Sequence, residues 1–529
     1  MSSMPHIHLS IVQPLGSVHW LGLLDQARYY RFQFRRLGAQ VTMAKNRLRH
    51  GAINFVFGAH DGWDPTHAAR YTCVFVNLEQ LGEGGLRVSP SYLKLLGSSA
   101  VIDYDALNVP AYAADPGDVL LAPILYAPYL KPVEPIPLEE RPIDLLFIGS
   151  MNPRRRAWID RIEATGRTVA MFDSALYGVE RDHYILQAKA VVNCHFYESN
   201  RFEQARVAHC LSLGTPVISE RTELTRPHDA FEDSVLWLQG EELEQFFRED
   251  FDTPAYFEAA RAGLERFALV DPIDHYADVL SYASGFASEH RKRLDPAPWQ
   301  PRLINLGSGK DYHTGWLNLD VVERAQPDLL LDLAQPLPLP LQTGSVTVGE
   351  LLLEEGSIDL INANNVLEHV PDLVALMGNC LRLLKTGGEF RIEVPYEHAP
   401  SAWQDPTHVR AMNENSWIYY TEWFWYLGWF EHRFEMGECS YLDAKLQPCA
   451  KDQANFMRVS LRKIETTPME RMHAQAMQAE IRLPDDDFDD AVPTRAAVID
   501  LASALGSVNL APQAPAMTLR RTGPMAVNG

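Results

Sequence analysis

The stretch RLINLGSGKDYHTGWLNLD, from Arg302 to Asp320, decides the fold of the C-terminal half of the chain. An apolar run leads into Gly307, Ser308 and Gly309, and a second apolar run ends in a carboxylate. This pattern predicts a strand, a glycine turn and a second strand. A dinucleotide-binding turn would carry a third glycine three residues after Gly309, which this sequence lacks, so NAD is disfavoured.

Three further segments follow this stretch in an order that suits one α/β domain. The run DLLLDL brings Asp332 to the end of a third predicted strand. The segment IDLINANNVLEHV, from Ile358 to Val370, predicts a buried strand, a polar turn and a helix. We expect that helix to end at Gly387 and Gly388, before the strand EFRIEVP.

The motifs LINLGSG, WLNLD, DLINANNVLEHV and LRLLKTGGEFRIEVP, in this order, resemble the class I S-adenosylmethionine-dependent methyltransferases. The resemblance implies S-adenosylmethionine as cofactor, with the glycine turn against its methionine portion, Asp320 at the ribose hydroxyls and Asp332 near the adenine. The residues implied to hold the cofactor are Leu306, Gly307, Ser308, Gly309, Asp320, Asp332, Asn364 and Asn365. Only eleven positions separate Gly309 from Asp320, so we expect the usual first helix to be short or absent.

Charge and composition narrow the choice of methyl acceptor. The chain of 529 residues has a formal net charge of −22, whereas a nucleic-acid-binding protein needs a surplus of Lys and Arg against phosphates. Base aminomethyltransferases resemble one another in a proline-containing turn after the fourth strand, and the turn Asn364-Asn365-Val366 has no proline. We therefore expect no nucleic-acid partner, and we favour an oxygen nucleophile such as a sugar hydroxyl.

Methylation of a hydroxyl requires a general base near the sulfonium. The segment YEHAPSAWQDPTHVR offers Glu397, His398, Asp405 and His408 after the predicted fifth strand. Similar methyltransferases carry a DPTH segment at the pocket mouth, so we predict His408 as the base and Asp405 as the group that orients it. A loop in which these side chains act only as caps is the alternative. His369 is interpreted as structural, and no metal site is readable in the sequence.

The aromatic segment WIYYTEWFWYLGWFEHRF, from Trp417 to Phe434, carries four of the eleven tryptophans of the chain. Aromatic rings stack on sugar faces and favour interfaces, which predicts a substrate lid or a partner surface. Core packing explains the same residues, and both interpretations stay open.

Apolar, β-branched runs alternate with helical patterns along the chain, which predicts α/β units with parallel sheets. The proline-rich joints LKPVEPIPLEERP and LDPAPWQP separate the units. We predict a first Rossmann-like domain over 1–138, a second over 139–293, the methyltransferase domain over 302–465 and a mostly irregular tail over 466–529.

The second unit opens with IDLLFIGSMNPRRRAWIDRI, which predicts a strand, a glycine turn at Gly149 and Ser150, and a helix beginning near Pro153. Arg154 and the two arginines after it lie in the first turns of this helix, where cations oppose the helix dipole unless an anion is near. A diphosphate would supply that anion. A solvated basic cluster paired with acidic neighbours is the alternative.

The segment AVVNCHFYESNRFEQARVAHCLSLGTPVISE predicts a strand, a polar turn, a helix from about Phe202 whose free amides can bind phosphate, and a second strand. It resembles the nucleotide-sugar-binding half of GT-B glycosyltransferases, which implies two facing Rossmann-like domains and a nucleotide-sugar donor. The residues assigned to the donor are Gly149, Ser150, Arg154, His195, Tyr197, Arg201, Phe202, Glu203 and Arg206.

One departure from the GT-B pattern concerns the stereochemical class. Retaining enzymes often carry two glutamates eight positions apart in this helix, and Leu211 stands where a partner of Glu203 would lie. In an inverting enzyme the base would come from the first domain. There His60 and Asp61 follow a strand, and Glu79 offers a similar group, with a structural role as the alternative for each.

These features predict a bifunctional enzyme that transfers a sugar and methylates a hydroxyl of that sugar or of its glycan, glycolipid or glycoprotein acceptor. The alternative is a methyltransferase whose N-terminal half only binds or docks. The six cysteines form no CxxC pair, no apolar run reaches the length of a membrane span, and the first residues do not resemble a secretory signal. We therefore expect a cytoplasmic protein, with peripheral membrane contact left open and no feature that indicates an oligomeric state.

Overall fold

The computed structural model describes residues 5–14, 18, 20–115, 117, 119–172, 174–294 and 296–478. These residues form three α/β units, each built on its own sheet. Among them, no helix combines the length and the apolar character needed to cross a bilayer.

The first domain is a six-stranded parallel sheet in the order β2-β1-β3-β4-β5-β6. Strands β3 and β4 are buried at every residue, which agrees with their mainly apolar sequences. The strands are β1 (His6–Ile11), β2 (Gln40–Lys45), β3 (Ile53–Phe57), β4 (Thr72–Asn77), β5 (Ala100–Asp103) and β6 (Leu120–Leu121), and the helices are α1 (Trp20–Arg36) and α2 (Pro90–Gly97).

The second domain is a five-stranded parallel sheet in the order β11-β10-β9-β7-β8. Its strands are β7 (Ile143–Phe147), β8 (Val169–Ala170), β9 (Ala188–Asn193), β10 (Val217–Glu220) and β11 (Leu236–Leu238). Its helices are α3 (Pro153–Glu163), α4 (Gly178–Ile185), α5 (Gln204–Ser212), α6 (Asp229–Glu232), α7 (Leu243–Gln245) and α8 (Pro254–Ala268). Helix α3 begins where Asn152 accepts a hydrogen bond from the Arg155 amide and Pro153 occupies the first turn.

The helix α9 (Ile273–Arg291) follows the second domain in sequence but packs on the first. Tyr276 is fully buried against Tyr29 and Tyr30 of α1, with ring centroids 5.6 and 5.0 Å away. The chain thus crosses back between the two Rossmann-like domains, and one hydrophobic core runs through both.

The third domain is a seven-stranded sheet in the order β14-β13-β12-β17-β18-β20-β19, in which β20 runs in the direction opposite to the other six strands. The strands are β12 (Leu303–Leu306), β13 (Leu317–Asp320), β14 (Leu329–Leu330), β17 (Ile358–Asn364), β18 (Leu384–Pro395), β19 (His432–Leu442) and β20 (Phe456–Glu465), beside a hairpin of β15 (Leu341–Ser345) and β16 (Gly349–Leu353). The helices are α10 (Leu373–Leu383), α11 (Ser401–Gln404), α12 (Ile418–Thr421) and α13 (Pro468–Ala476).

Two predictions about this domain meet different outcomes. No helix lies between β12 and β13, so the expectation of a short or absent first helix is confirmed. The helix stop at Gly387 and Gly388 was wrong, because α10 ends at Leu383 and both glycines lie within β18. Leu384 already has extended backbone and pairs with Ile358 of β17, so sheet pairing ends the helix four residues earlier.

The predicted fold class, two Rossmann-like domains followed by a methyltransferase fold, is confirmed. Strand β20 ends at Glu465, where the third domain was expected to end. The segment predicted as an irregular tail begins with helix α13, whose first turn carries a capping box of Thr467 and Glu470. The remainder of that tail, from residue 479, lies outside the described residues.

Candidate functional sites

The glycine turn between β12 and β13 lies at the carboxyl end of β12, the middle one of the five parallel strands β14-β13-β12-β17-β18, where open α/β sheets bind ligands. Gly307 has a φ of 64°, and a Cβ there would lie 2.4 Å from a Val366 methyl carbon. The turn therefore requires glycine at 307 for both its conformation and its close packing. Ser308 is buried, and its hydroxyl has no hydrogen-bond partner among the described residues.

Asp320 ends β13 and is tied to this turn. Its Oδ2 accepts a hydrogen bond of 2.8 Å from the Gly309 amide, and its Oδ1 accepts one of 2.8 Å from the Val322 amide. An ionised carboxylate can accept about four hydrogen bonds, so two acceptor positions are left for the ribose hydroxyls of a cofactor. Together with the unpaired Ser308 hydroxyl, these groups fit S-adenosylmethionine.

The other residues predicted to hold the cofactor surround the same edge of the sheet. Leu306 is buried at the end of β12, and Asn364 and Asn365 are exposed at the end of β17. Asp332 is exposed after β14, where its carboxylate accepts a hydrogen bond of 2.8 Å from the Ala334 amide. Their contacts with a cofactor stay predictions.

A cluster of Glu368, His369 and His408, called here the Glu368 cluster, lies beside the glycine turn. Glu368 and His369 belong to a single helical turn, Leu367–His369, that follows Val366. The amide of Val409 donates 2.8 Å to the Glu368 carbonyl and joins the DPTH segment to this turn. The Nε2 atom of His408 lies 4.0 Å from Oε1 of Glu368.

Glu368 carries the unusual chemistry of this cluster. The residue is 1% exposed, and neither carboxylate oxygen has a hydrogen-bond partner among the described residues. Burial raises the pKa of this carboxyl group to about 7. Sequence reasoning missed Glu368, although a carboxylate next to a histidine directly after a strand and polar turn was a usable signal.

The predicted pairing of Asp405 with His408 needs correction. The Asp405 carboxylate accepts hydrogen bonds from the Thr407 amide and hydroxyl, at 2.8 and 2.6 Å, and none of the described hydrogen bonds joins it to the His408 ring. The His408 ring is held instead by the Ala402 carbonyl, 2.9 Å from Nδ1. Asp405 closes a turn with the residue two positions on, the local bond that Asp side chains favour.

The remaining base candidates and the aromatic segment lie around this site. His398 is exposed and pairs with Glu397 at 3.5 Å. In the aromatic segment Trp417 is fully buried, whereas Trp423 and Tyr426 are 44% and 68% exposed, so the segment both fills the core and presents rings to solvent. A separate cavity of about 1370 Å³ lies between α10 and residues 428–432, and no residue of the glycine turn lines it.

A cleft of about 340 Å³ opens between the first and second domains. Four residues assigned to a sugar donor and one candidate base line it: Gly149, Tyr197, Glu203, Arg206 and Glu79. The structure therefore brings together groups that are far apart in sequence. The contribution of each to binding stays a prediction.

Glu203 and Arg206 form the floor of this cleft, and the buried Arg155 lies beneath them without lining it. Glu203 makes ion pairs with Arg155, at 2.5 Å, and with Arg206. Burial lowers the pKa of Arg155 to about 10 and, helped by the neighbouring Arg155 charge, that of Arg206 to about 9. A Cβ at Gly149 would lie 2.9 and 3.1 Å from these guanidinium groups, so glycine leaves the space they occupy. Arg155, Arg206 and Glu203 together carry one net positive charge, while Asp25 and Glu79 also line the cleft.

Other residues assigned to the donor have structural partners instead. Arg154 makes a bidentate ion pair with Glu220, at 2.6 and 2.7 Å. His195 is buried, with Nδ1 3.2 Å from the Arg201 carbonyl and Nε2 2.8 Å from the Thr225 hydroxyl. None of Arg154, His195 and Arg201 lines the cleft.

Three further assigned residues differ in exposure. Phe202 is buried and packs against Phe231 and Trp237. The Arg201 guanidinium donates a hydrogen bond to Asn108 of the first domain. Ser150 is exposed, and its carbonyl accepts a hydrogen bond from Arg155. Sequence reasoning singled out Arg154 of the arginine run, whereas Arg155 is the arginine that pairs with Glu203 of the cleft floor, because a helix turns by 100° between successive residues.

The base candidates of the first domain come together at the carboxyl ends of β3 and β4. Nε2 of His60 lies 3.5 Å from Asp61 and 3.5 Å from Glu79. Burial raises the pKa of Glu79. Only Glu79 of these three residues lines the cleft, and His60 and Asp61 lie behind it.

Comparisons with known proteins agree with this architecture. Residues 305–392 match the family model described as "Methyltransferase domain". Two uncharacterised proteins of Acanthamoeba polyphaga mimivirus, L140 and L138, are 29% identical over 177 residues and 36% identical over 78 residues. These alignments cover 30% and 15% of this chain, and 56% and 9% of the relatives, so the chain spans about half or less of the curated proteins it matches.

Two solved structures illustrate the fold similarity. An S-adenosylmethionine-dependent methyltransferase from Mesorhizobium loti is 17% identical and covers 32% of this chain and 94% of its own, with a TM-score of 0.22. WaaG, a glycosyltransferase involved in lipopolysaccharide biosynthesis, is 13% identical and covers 53% of this chain and 100% of its own, with a TM-score of 0.34. The family match spans β12 to β18, the strands that hold the glycine turn and the Glu368 cluster. Residues 305–392 therefore match a methyltransferase domain, and two Rossmann-like domains precede this region in the chain.

Proposed function

We propose that the chain is a bifunctional enzyme of glycan assembly. Its N-terminal half transfers a sugar from a nucleotide-sugar, and its C-terminal domain methylates a hydroxyl of that sugar or of its acceptor. The observation that carries the proposal is the positive floor of the cleft, where Arg155 and Arg206 share Glu203 beneath Gly149. The Arg206 guanidinium in the first turn of α5, with Arg155 of α3 beneath it, suits a diphosphate, because oxyanions pair with guanidinium donors.

The methyl transfer calls for two contributions from the chain. S-adenosylmethionine, when bound, supplies the methyl group on a sulfonium centre. The glycine turn and Asp320 hold the cofactor at the edge of the sheet, and the Glu368 cluster provides an imidazole that accepts the proton of the acceptor hydroxyl. Nδ1 of His408 donates to the Ala402 carbonyl, so its Nε2 atom carries the lone pair and faces Glu368.

A second candidate function is supported by one observation. Leu211, where a retaining glycosyltransferase would often carry its second glutamate, is 3% exposed and belongs to the core. In this alternative the N-terminal half recognises a glycan or a nucleotide without turnover, and only the methyltransferase is active.

The experiment that tests the proposal is a thermal-shift screen of the full chain against S-adenosylhomocysteine, nucleoside diphosphates and nucleotide-sugars. A ligand that binds only the native state raises the unfolding temperature by mass action. We expect S-adenosylhomocysteine and one nucleoside diphosphate each to raise a separate transition. Release of nucleoside diphosphate from the matching nucleotide-sugar, followed by NMR, then distinguishes the two candidates. A chain that binds the donor and never turns it over, with any acceptor or water, supports the second.

Asp320→Ala checks the cofactor assignment within the same screen. The variant loses the acceptor for both the Gly309 amide and the ribose hydroxyls, and hydrogen bonds to charged groups contribute about 1.5–3 kcal/mol each. We expect affinity for S-adenosylhomocysteine to fall at least about tenfold. Glu323→Ala, an exposed carboxylate three residues further on, is the control. Equal affinity of a folded Asp320→Ala would remove the ribose role.

A further inference from the structure

The Glu368 cluster holds three potential metal ligands in one place. One carboxylate oxygen and two imidazole nitrogens, from Glu368, His369 and His408, lie within 4.8 Å of one another. The sequence contains no recognisable metal-binding motif at these positions, because two of the residues are adjacent and the third is about forty positions away. Strand β18 and the DPTH segment bring them together.

Glu368 is the second, independent sign of a ligand. Its carboxylate is buried, points into the cluster and has no hydrogen bond to either oxygen among the described residues. Leaving a buried carboxylate without a partner costs several kcal/mol, so such groups are normally paired with a cation or coordinate a metal. His408, 4.0 Å away, is too distant for a hydrogen bond.

The hydrogen bonds of His408 leave the nitrogen that a metal needs. Nδ1 faces the Ala402 carbonyl at 2.9 Å, and a carbonyl only accepts, so Nδ1 carries the proton. Nε2, the atom that faces Glu368, therefore carries the lone pair. A ligating histidine almost always donates its other nitrogen in this way, to a backbone carbonyl or a carboxylate.

The same deduction holds for His369 through a longer chain of hydrogen bonds. The Thr407 hydroxyl donates to Asp405 Oδ1 at 2.6 Å, so its one proton is already used. At Nδ1 of His369, 2.9 Å away, Thr407 must then accept, and Nδ1 carries the proton. Nε2 of His369 is left with the lone pair. Asp405 thus acts as the outer partner of His369 and not of His408.

We infer that Glu368, His369 and His408 form a binding site for one divalent transition-metal ion, of the class of Mn²⁺, Fe²⁺ or Zn²⁺. Two imidazoles and one carboxylate suit these ions and not Mg²⁺, which prefers oxygen ligands. Metal–ligand bonds are about 2.1 Å long, so donor atoms within 4.8 Å of one another have to move inward by at most roughly 0.7 Å. Three protein ligands leave open positions on the ion.

The part that this ion would play in methyl transfer rests on the proposed function, whereas the binding of the ion to the Glu368 cluster does not. The cluster follows Val366, whose methyl groups touch Gly307 of the glycine turn, so the ion lies at the cofactor edge of the sheet. An open coordination position there suits an acceptor hydroxyl, whose pKa a metal ion lowers. Ligation of the ion would replace the base role proposed for His408, because both use the Nε2 lone pair, and the acidified hydroxyl would then lose its proton to solvent.

The test is calorimetric titration of the chelator-treated full chain with MnCl₂, ZnCl₂ and MgCl₂, without cofactor or acceptor. We expect one saturable site for Mn²⁺ and Zn²⁺ and much weaker binding of Mg²⁺. Glu368→Gln and His408→Asn should each weaken Mn²⁺ and Zn²⁺ binding at least about tenfold, as loss of metal-site groups typically does. Glu422→Gln and His473→Asn, exposed residues outside the cluster, serve as controls and should bind as the natural chain does.

Two outcomes overturn the inference. One is the absence of a saturable Mn²⁺ or Zn²⁺ site in the natural chain. The other is binding that persists in both cluster variants, or that disappears in a control, because the metal then sits on surface groups. The thermal shift by S-adenosylhomocysteine is measured on every variant. A retained shift shows that the domain is folded, and a shift lost in the natural chain itself counts against the proposed function and not against the metal site.

Discussion

The guanidinium group of Arg47, in the first domain, lies 4.3 Å from the centroid of the Tyr312 ring, in the loop after the glycine turn of the methyltransferase domain. The same group donates hydrogen bonds of 3.0 Å to the carbonyls of Ala325 and Gln326. These carbonyls belong to the loop that follows Asp320. One side chain of the N-terminal half therefore holds both loops that flank the predicted ribose position.

This contact predicts that the N-terminal half supports cofactor binding. Arg47→Ala removes a stacked cation, which contributes about 0.5–2 kcal/mol, and two hydrogen bonds from a charged donor. We expect calorimetry to show a roughly 5- to 30-fold weaker affinity for S-adenosylhomocysteine, with binding of nucleoside diphosphate unchanged. Arg49→Ala, in the same loop, is the matched control. Unaltered cofactor affinity in Arg47→Ala would mean that the loops hold their positions without the first domain.

The second prediction concerns the strain that the glycine turn avoids. In Gly307→Ala a Cβ would lie 2.4 Å from a methyl carbon of Val366 in a backbone conformation that costs non-glycine residues about 1–3 kcal/mol. We expect urea unfolding to show a loss of at least about 2 kcal/mol, partly restored in the double variant with Val366→Ala, because only the clash is relieved. Gly285→Ala, on an exposed face of α9 with free space around it, should be neutral or stabilising. A double variant no more stable than Gly307→Ala would show that Val366 is not the obstacle.

The sequence predicted those features of the methyltransferase domain that depend on residues close together in the chain, and missed those that depend on residues far apart. The turn of Gly307 and Asp320 was predictable, because a strand, a glycine and a terminal carboxylate are local signals. The alternative in which Asp405 only closes a turn was right for the same reason, since that bond reaches two residues. Arg47 could not be predicted, because its partners lie more than 260 positions away and are mostly backbone carbonyls.

The cleft between the first two domains shows a similar division. The run of arginines signalled an anion, but which arginine pairs with Glu203 at the cleft depends on how α3 packs, and the buried Arg155 is the one that does. Arg154 finds Glu220 at the end of β10, a partner that only the sheet order brings near. The alternative prediction for the arginine run, pairing with acidic neighbours, therefore describes the contacts of Arg154.

The third prediction tests the cleft floor. Arg206→Gln removes one of two cations beside Glu203 and leaves the floor neutral, because Arg155 and Glu203 then balance. We expect affinity for the nucleoside diphosphate that binds the natural chain to fall about 10- to 100-fold, since a charge-assisted hydrogen bond contributes about 1.5–3 kcal/mol. Arg156→Gln, on the exposed side of α3, should bind normally. If the diphosphate binds Arg206→Gln as tightly, its phosphates lie elsewhere.

The last prediction concerns the pH dependence of stability at His195. Burial, and next the charge of Arg154, lowers the pKa of His195 to about 4, while Glu220 opposes this shift. The unfolded chain protonates this side chain near pH 6.5, so between pH 6.5 and 4 the unfolded state binds more protons than the folded state. Stability contributed by neutral His195 is therefore fully present above about pH 6.5 and falls as the pH drops.

We expect the free energy of unfolding of the natural chain to fall by about 1–2 kcal/mol more than that of His195→Gln between pH 7 and pH 5. Urea unfolding at each pH measures the difference, and comparing the two chains cancels the contributions of all other titrating groups. His183→Gln, an exposed histidine of the same domain, should follow the natural chain. Parallel pH profiles for the natural chain and His195→Gln would mean that folding does not lower the pKa of His195.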